Sequence, residues 1–146
     1  MRFSKFLSAA ILMLGFATTA HAESPNKLIT ILTSAEPQTQ LMAMVLTMNA
    51  IAAGAEAEVL LCGPAGDIAL KDAPATATAG QPPKNASPQG LMQMMMAQHG
   101  LSVQVCAIYL PAKASDASIL IDGVTAAAPD AMGAAIVTPG TSVMSF

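Results

Sequence analysis

Two short apolar runs flank a single helical pattern near the start of the chain, and they limit the fold more than any other feature. The runs are residues 28–33, Leu-Ile-Thr-Ile-Leu-Thr, and residues 58–62, Glu-Val-Leu-Leu-Cys. Neither alternates cleanly between apolar and polar residues, which is typical of parallel strands covered on both faces. Between them, apolar residues recur at helical spacing from Gln38 to Ala53, and Gly54 follows. The pattern predicts a β-α-β unit with a right-handed crossover.

The same alternation continues to the end of the chain. Ser87 is a good N-cap with Pro88 at the first helical position, and Gly100 ends the helix that follows. Ser115 is predicted to cap another short helix that ends at Gly123. Further strands are predicted at residues 102–108, 124–127 and 141–146, and further helices at 65–70 and 129–138. This order predicts a three-layer α/β/α domain with a mostly parallel sheet of about five strands.

Residues 72–86 differ from their surroundings. They are rich in Ala, Pro, Thr and Gly and show no periodicity. We interpret this segment as a mobile surface loop.

The first 22 residues have the layout of a secretory signal peptide. Arg2 and Lys5 precede an apolar run from Phe6 to Ala17, and Ala20-His21-Ala22 is a small-x-small cleavage sequence. We expect an exported, periplasmic chain that begins at Glu23 and forms one domain over residues 23–146. No later segment has 18 uninterrupted apolar residues, so we expect no membrane anchor.

The charge balance excludes some partners and favours another. Residues 23–146 contain four lysines, no arginine and nine acidic residues, a formal charge of −5. Such a chain has no basic surface for nucleic acid or for an anionic membrane. Few charges beside many Ala, Met, Val and Leu predict exposed apolar surface, which we expect a homo-oligomer to bury.

Cys106 is the candidate for chemistry. It lies toward the carboxyl end of a predicted central strand, where sites collect in open α/β sheets. A cysteine near a helix start and a cation can become a usable nucleophile, and Ser115 and Lys113 are the candidates for those supports. The alternative is that Cys106 is a small buried apolar residue of the strand.

The chain resembles the DsrE/DsrF-like family of small α/β proteins. The resemblance rests on the strand "LITILT", on "AEVLLCGPAG", on "LMQMMMAQHGLSVQVCAIYL" and on the ending "GAAIVTPGTSVMSF". It implies a homo-oligomeric protein that passes sulfur as a cysteine persulfide, with Cys106 as sulfur acceptor. Its partners would be sulfur-donor or sulfur-acceptor proteins, and the chemistry needs no cofactor. Sulfur-relay members usually follow this cysteine with small and basic residues, whereas here the nearest base is Lys113.

Cys62 ends the preceding predicted strand, and the resemblance implies that this strand neighbours the Cys106 strand. Adjacent strands lie about 4.8 Å apart, close to the shortest separations at which disulfides form. The two cysteines could form a disulfide, a resolving pair for a redox step, or two separate thiols. We favour separate thiols, because the lateral geometry of adjacent parallel strands rarely suits the bond.

Four methionines and a histidine precede Cys106, and they allow two interpretations. Met92, Met95, Met96 and His99 can share one helical face and, with Cys106, offer soft ligands for Cu(I). A non-enzymatic metal-binding or small-ligand module is therefore an alternative function, as is an oligomeric scaffold without chemistry. Packing explains the methionines more simply, because the chain uses methionine in the same way at Met42, Met44 and Met48. His99 then interacts with the helix C-terminus.

Other classes of site have little support. The sequence contains no G-x-S-x-G, P-loop, G-x-G-x-x-G or C-x-x-C pattern. A single histidine after residue 22 argues against a multi-histidine zinc site. We interpret Glu36 and Asp67 as solvated turn or helix-start residues.

Overall fold

The computed structural model describes residues 26–146, which form one five-stranded sheet. All four strand pairings are parallel, and the order across the sheet is β4-β3-β2-β1-β5. The strands are β1 (Lys27–Leu32), β2 (Glu56–Leu61), β3 (Ser102–Val105), β4 (Thr125–Ala126) and β5 (Thr141–Ser145). This confirms the α/β class and the strand number. The signal peptide expected at residues 1–22 lies outside the described residues.

The helices connect the strands, and their ends follow local sequence signals. They are α1 (Pro37–Ala52), α2 (Ala75–Thr78), α3 (Pro88–His99), α4 (Tyr109–Ala112) and α5 (Pro129–Ile136), with 3-10 helices at Gly63–Ala69 and Ala117–Ile119. Ser87 Oγ accepts a hydrogen bond from Gly90 N at 3.1 Å, and Gly100 ends α3 with a φ of +66°. The Glu36 carboxylate caps α1 by accepting from Thr39 N at 2.7 Å.

The two faces of the sheet are covered unequally. Helices α1 and α3 pack on one face and enclose the main core, which includes Met44, Leu61 and Val105. The short helix α5 lies on the other face, over a small cluster of Ile29, Leu60, Ala127 and Met132. Because side chains alternate along a strand, successive residues of β2 contribute to different clusters.

A buried hydroxyl pair joins β1 to α1. Thr30 Oγ1 lies 2.8 Å from Thr47 Oγ1, and Thr47 Oγ1 lies 2.8 Å from the carbonyl oxygen of Ala43. Since the Thr47 proton goes to that carbonyl, the Thr30 hydroxyl donates to Thr47. Both threonines are fully buried, and the pair satisfies them.

Two sequence-based expectations differ from the structure: the end of β3 and the loop at residues 72–86. Strand β3 ends at Val105 rather than Ile108, because the chain turns when Tyr109 N donates to the Cys106 carbonyl at 2.8 Å. Residues 72–86 contain α2 and a bridge between Gln81 and Ala86, with Ala77 buried in the main core.

Within residues 26–146, no helix combines the length and apolarity needed to cross a membrane.

Candidate functional site

Strands β2 and β3 end side by side, and each is followed directly by a cysteine. Leu61 pairs with Val105 in the parallel register, so Cys62 and Cys106 occupy the next position on both strands. The hydrogen bonding continues through this position, where Cys106 N donates to the Leu61 carbonyl at 2.8 Å. The two side chains project to the α5 face, and their Cα atoms are 5.0 Å apart.

The two cysteines form a disulfide bond, which corrects the expectation of separate thiols. Their Cα separation of 5.0 Å lies inside the usual range for disulfides, about 4.4–6.8 Å. Equal register and a shared face bring the sulfurs together. No cysteine within residues 26–146 is free. Because a bonded sulfur does not ionise, Cys106 becomes a nucleophilic thiolate only after the bond is opened.

A cavity of about 320 Å³ lies against Cys106. It is bordered by the end of β2, by the turn after β3 and by α5, and none of its lining residues is charged. Those residues are Leu60, Cys106, Ala107, Ile108, Ala127, Pro129, Met132, Gly133 and Ile136. Cys62 and Cys106 are both half-buried, whereas Ile108 is 78% exposed at the same edge. The bond is therefore at the carboxyl edge of the sheet, next to a small apolar opening.

Lys113 and Ser115 do not have the supporting positions that the sequence predicted. The Lys113 ammonium lies 2.7 Å from Asp67 Oδ1 and is therefore paired with that carboxylate. It lines a separate cavity of about 350 Å³ with Asp67 and Tyr109, which is not the cavity beside Cys106. Ser115 is not a helix cap, because Asp116 accepts the hydrogen bond from Ser118 N at 2.8 Å. Asp116 directly precedes the 3-10 helix at Ala117–Ile119, so its carboxylate takes the capping position.

Tyr109 and Asp67 form a contact that sequence reasoning missed. The Tyr109 hydroxyl donates to Asp67 Oδ1 at 2.7 Å, and the Lys113 ammonium is 5.6 Å from the ring centroid. The ring lies so close to Gly66 that a Cβ there would overlap it. Burial, followed by the bond to Asp67 and its charge, raises the pKa of Tyr109. The only tyrosine of the chain, directly after the strand predicted at residues 102–108, was the available signal.

The methionine and histidine candidates do not converge with Cys106. Met92 and Met95 are fully buried in the main core, and Met96 packs partly against it. His99 is exposed at the end of α3, beside the amino ends of the strands, whereas Cys106 is at the opposite end of β3. Within the part of the chain that the structure describes, no three His, Cys, Asp or Glu residues are grouped to hold a metal ion.

Comparison with known proteins identifies the fold but no family. No family model matches the sequence, and no curated protein matches it significantly. A protein of unknown function from Methanobacterium thermoautotrophicum, MTH1491, is 14% identical with a TM-score of 0.63, covering 82% of this chain and 98% of its own. The ychN protein from E. coli is 16% identical with a TM-score of 0.60, covering 83% and 99%. The DsrE-like α/β fold is therefore confirmed.

Proposed function

We propose that this chain is an exported sulfur-handling protein whose Cys106 carries sulfur as a persulfide. The observation that carries the proposal is the pair of half-buried cysteines at the carboxyl edge of the sheet, beside an apolar cavity. Sites of open α/β sheets collect at this edge. The DsrE-like fold is compatible with the role, and sulfur-donor and sulfur-acceptor proteins are the proposed partners.

The transfer step requires the reduced protein. The Cys106 thiolate attacks the terminal sulfur of a donor persulfide, R–S–SH. A bond forms between Cys106 Sγ and that sulfur, the donor S–S bond breaks, and R–S⁻ leaves with the electron pair. An acceptor thiolate then attacks the terminal sulfur of Cys106–S–SH and releases Cys106 as a thiolate. No metal and no cofactor is needed for either step.

Intact-mass measurement tests the proposal. The protein is reduced, freed of reductant and mixed with a low-molecular-weight persulfide under nitrogen. We expect an adduct of about 32 Da, one sulfur atom, that Cys106→Ser abolishes and that Cys62→Ser retains. Cys62→Ser is the matched control, since it also removes the disulfide. Absence of the adduct from Cys62→Ser, where no second thiol can displace the sulfur, or its persistence in Cys106→Ser, contradicts the proposal.

The proposed export has its own test. The full chain is expressed with its first 22 residues, and the periplasmic fraction is isolated. We expect N-terminal sequencing to begin at Glu23. An uncleaved chain that stays in the cytoplasm would contradict export. That result would not decide the sulfur chemistry of Cys106, which the intact-mass measurement tests separately.

A further inference from the structure

We infer that the oxidised protein is loaded with sulfur without prior reduction. Hydrogen sulfide opens the Cys62–Cys106 bond and leaves a persulfide on Cys106. This inference rests on the proposed function and specifies its sulfur source. The loading reaction described above needs a reduced protein and a donor that already contains an S–S bond. The structure instead holds both cysteines in a disulfide. Inorganic sulfide can load this form directly.

The cavity determines which sulfur is attacked. Cys106 lines it, together with the α5 residues Pro129, Met132 and Gly133, whereas Cys62 is not among its lining residues. A nucleophile that enters the cavity therefore meets Cys106 and not Cys62 on its wall. Attack there makes Cys62 the leaving group, and it stays beside Cys106 as a resolving thiol, since their Cα atoms are 5.0 Å apart.

The lining of the cavity favours a small thiol that carries no carboxylate. None of the lining residues is charged, and the volume is about 320 Å³. A charged tripeptide thiol such as glutathione is larger and would find no cationic lining residue to pair with its carboxylates. Hydrogen sulfide is the smallest thiol, and its attacking form is the hydrosulfide anion, which brings no carboxylate into the cavity. The chemical class that fits is thus inorganic sulfide rather than a charged organic thiol.

The step balances as an addition of hydrogen sulfide across the disulfide. The sulfide sulfur bonds to Cys106 Sγ, the Cys62–Cys106 bond breaks, and its electron pair remains on Cys62 Sγ. One hydrogen of the sulfide stays on the new persulfide and the other goes to solvent as a proton, while Cys62 takes up a proton and ends as a thiol. The sulfide sulfur is oxidised and Cys62 is reduced, so the step needs no other oxidant.

The test uses the oxidised wild-type protein and sodium sulfide under nitrogen. We expect an intact-mass gain of about 34 Da, the mass of one hydrogen sulfide molecule, and peptide mapping after rapid alkylation to place the extra sulfur on Cys106. Glutathione at equal concentration should react at least about tenfold more slowly. Extra sulfur on Cys62, or full reduction without a persulfide, overturns the inference, as does the absence of reaction.

Two variants of α5 test the cavity. A Cβ at Gly133 meets no atom within 4 Å, so Gly133→Leu is expected to fold while narrowing the cavity. We expect it to slow the sulfide reaction by about tenfold or more. Ala131→Leu, on an exposed position of the same helix outside the cavity lining, is the matched control and should react as the wild type does. Equal rates in both variants contradict entry through the cavity.

The two proposals fail separately. The persulfide-donor experiment uses reduced protein and depends only on the reactivity of the Cys106 thiolate. The sulfide experiment uses oxidised protein and depends on opening of the disulfide. A reduced protein that accepts sulfur from a persulfide, beside an oxidised protein that ignores sulfide, retains the proposed function and rejects this inference.

Discussion

At the scale of single residues, Tyr109 makes three contacts near the candidate site. Its ring packs against Gly66, its hydroxyl donates to Asp67, and the Lys113 ammonium lies over the ring. The Lys113–Asp67 pair has side chains 41% and 30% exposed, so solvent screens it and its own contribution is small. The part-buried hydrogen bond from Tyr109 is therefore the main polar link between the turn after β3 and the 3-10 helix at Gly63–Ala69.

The raised pKa of Tyr109 predicts how stability depends on pH. An unfolded tyrosine titrates near pH 10, whereas Tyr109 in the folded protein holds its proton to higher pH. Above pH 10 the unfolded state binds fewer protons than the native state, so the free energy of unfolding falls as pH rises. The slope from this one group is at most about 1.4 kcal/mol per pH unit.

Tyr109→Phe tests that prediction. At pH 7 we expect the free energy of unfolding, measured in urea, to fall by about 1–3 kcal/mol, because Asp67 loses its part-buried hydrogen-bond donor. Between pH 10 and 11 the difference in free energy of unfolding between the wild type and the variant should shrink, since only the wild type has the titrating hydroxyl. Changes of charge elsewhere in the chain are common to both proteins. A difference that stays constant with pH would contradict the assignment.

Most residue roles that depend on local sequence were predictable, with the exception of the cap predicted at Ser115, and those that depend on register were not. Ser87, Pro88 and Gly100 act within one helix, so the pattern around them is sufficient. The disulfide depends on equal register at the ends of β2 and β3 and on both cysteines projecting to one face, which no local pattern encodes. Tyr109 and Asp67 are 42 residues apart, and Lys113 was assigned to the thiol because only sequence distance was visible.

At the scale of elements, the hydroxyl pair between Thr30 and Thr47 fixes α1 against β1. Thr47→Val leaves the buried Thr30 hydroxyl without an acceptor, so we expect a loss of about 1–3 kcal/mol in the free energy of unfolding. Thr30→Val should cost less, because Thr47 keeps its bond to the Ala43 carbonyl. The double variant should be closer to wild type than the sum of the two losses. If the losses in free energy of unfolding, measured in urea, are additive, the hydrogen bond between Thr30 and Thr47 is contradicted.

The disulfide between the ends of β2 and β3 should stabilise the domain without determining its fold. It closes a loop with a sequence separation of 44. Chain entropy then predicts a loss of about 4 kcal/mol when the bond is removed. The main core does not include either cysteine, so we expect reduced protein and Cys62→Ser/Cys106→Ser protein to keep the wild-type far-ultraviolet circular dichroism spectrum. Unfolding on reduction at 25 °C would contradict this.

The long elements were predicted closely because their periodicity extends over many residues. Helix α1 was expected at 38–53 and occupies Pro37–Ala52, and α3 ends before Gly100 as expected. The predicted end of β3 at Ile108 was wrong. The residues after Cys106 are as apolar as those of a strand, but the hydrogen bond from Tyr109 N to the Cys106 carbonyl turns the chain there. The segment 72–86 forms α2 through packing of Ala77 in the main core, which its composition did not indicate.

At the scale of the whole molecule, the charged residues lie outside the two longest helices. Neither α1 nor α3 contains Asp, Glu, Lys or Arg, although parts of both face solvent. Large apolar side chains are exposed on both faces of the sheet: Met42 at 51%, Leu46 at 40%, Ile108 at 78%, Val137 at 79% and Val143 at 43%. Monomers rarely leave extended apolar patches uncovered.

We therefore predict a homo-oligomer. Light scattering coupled to size-exclusion chromatography should give a mass of at least two chains at micromolar concentration. Replacing Met42 and Leu46 together with Glu should lower that mass if α1 forms the interface, whereas a paired change at the exposed Gln93 and Gln98 of α3 is the control. A monomeric wild-type protein at these concentrations would contradict the prediction.

The disulfide, one residue beyond the last paired position of β2 and β3, also affects the local opening of the sheet at this edge. Strand ends ordinarily fray first, and their amide hydrogens exchange fastest with solvent. Here the amides of Cys62 and Cys106 donate to the Leu32 and Leu61 carbonyls at the position that the sulfurs hold closed. We expect these amides to be protected from deuterium exchange while the bond is intact. Reduction of the bond should raise the exchange rates of both amides, and unchanged rates would contradict this.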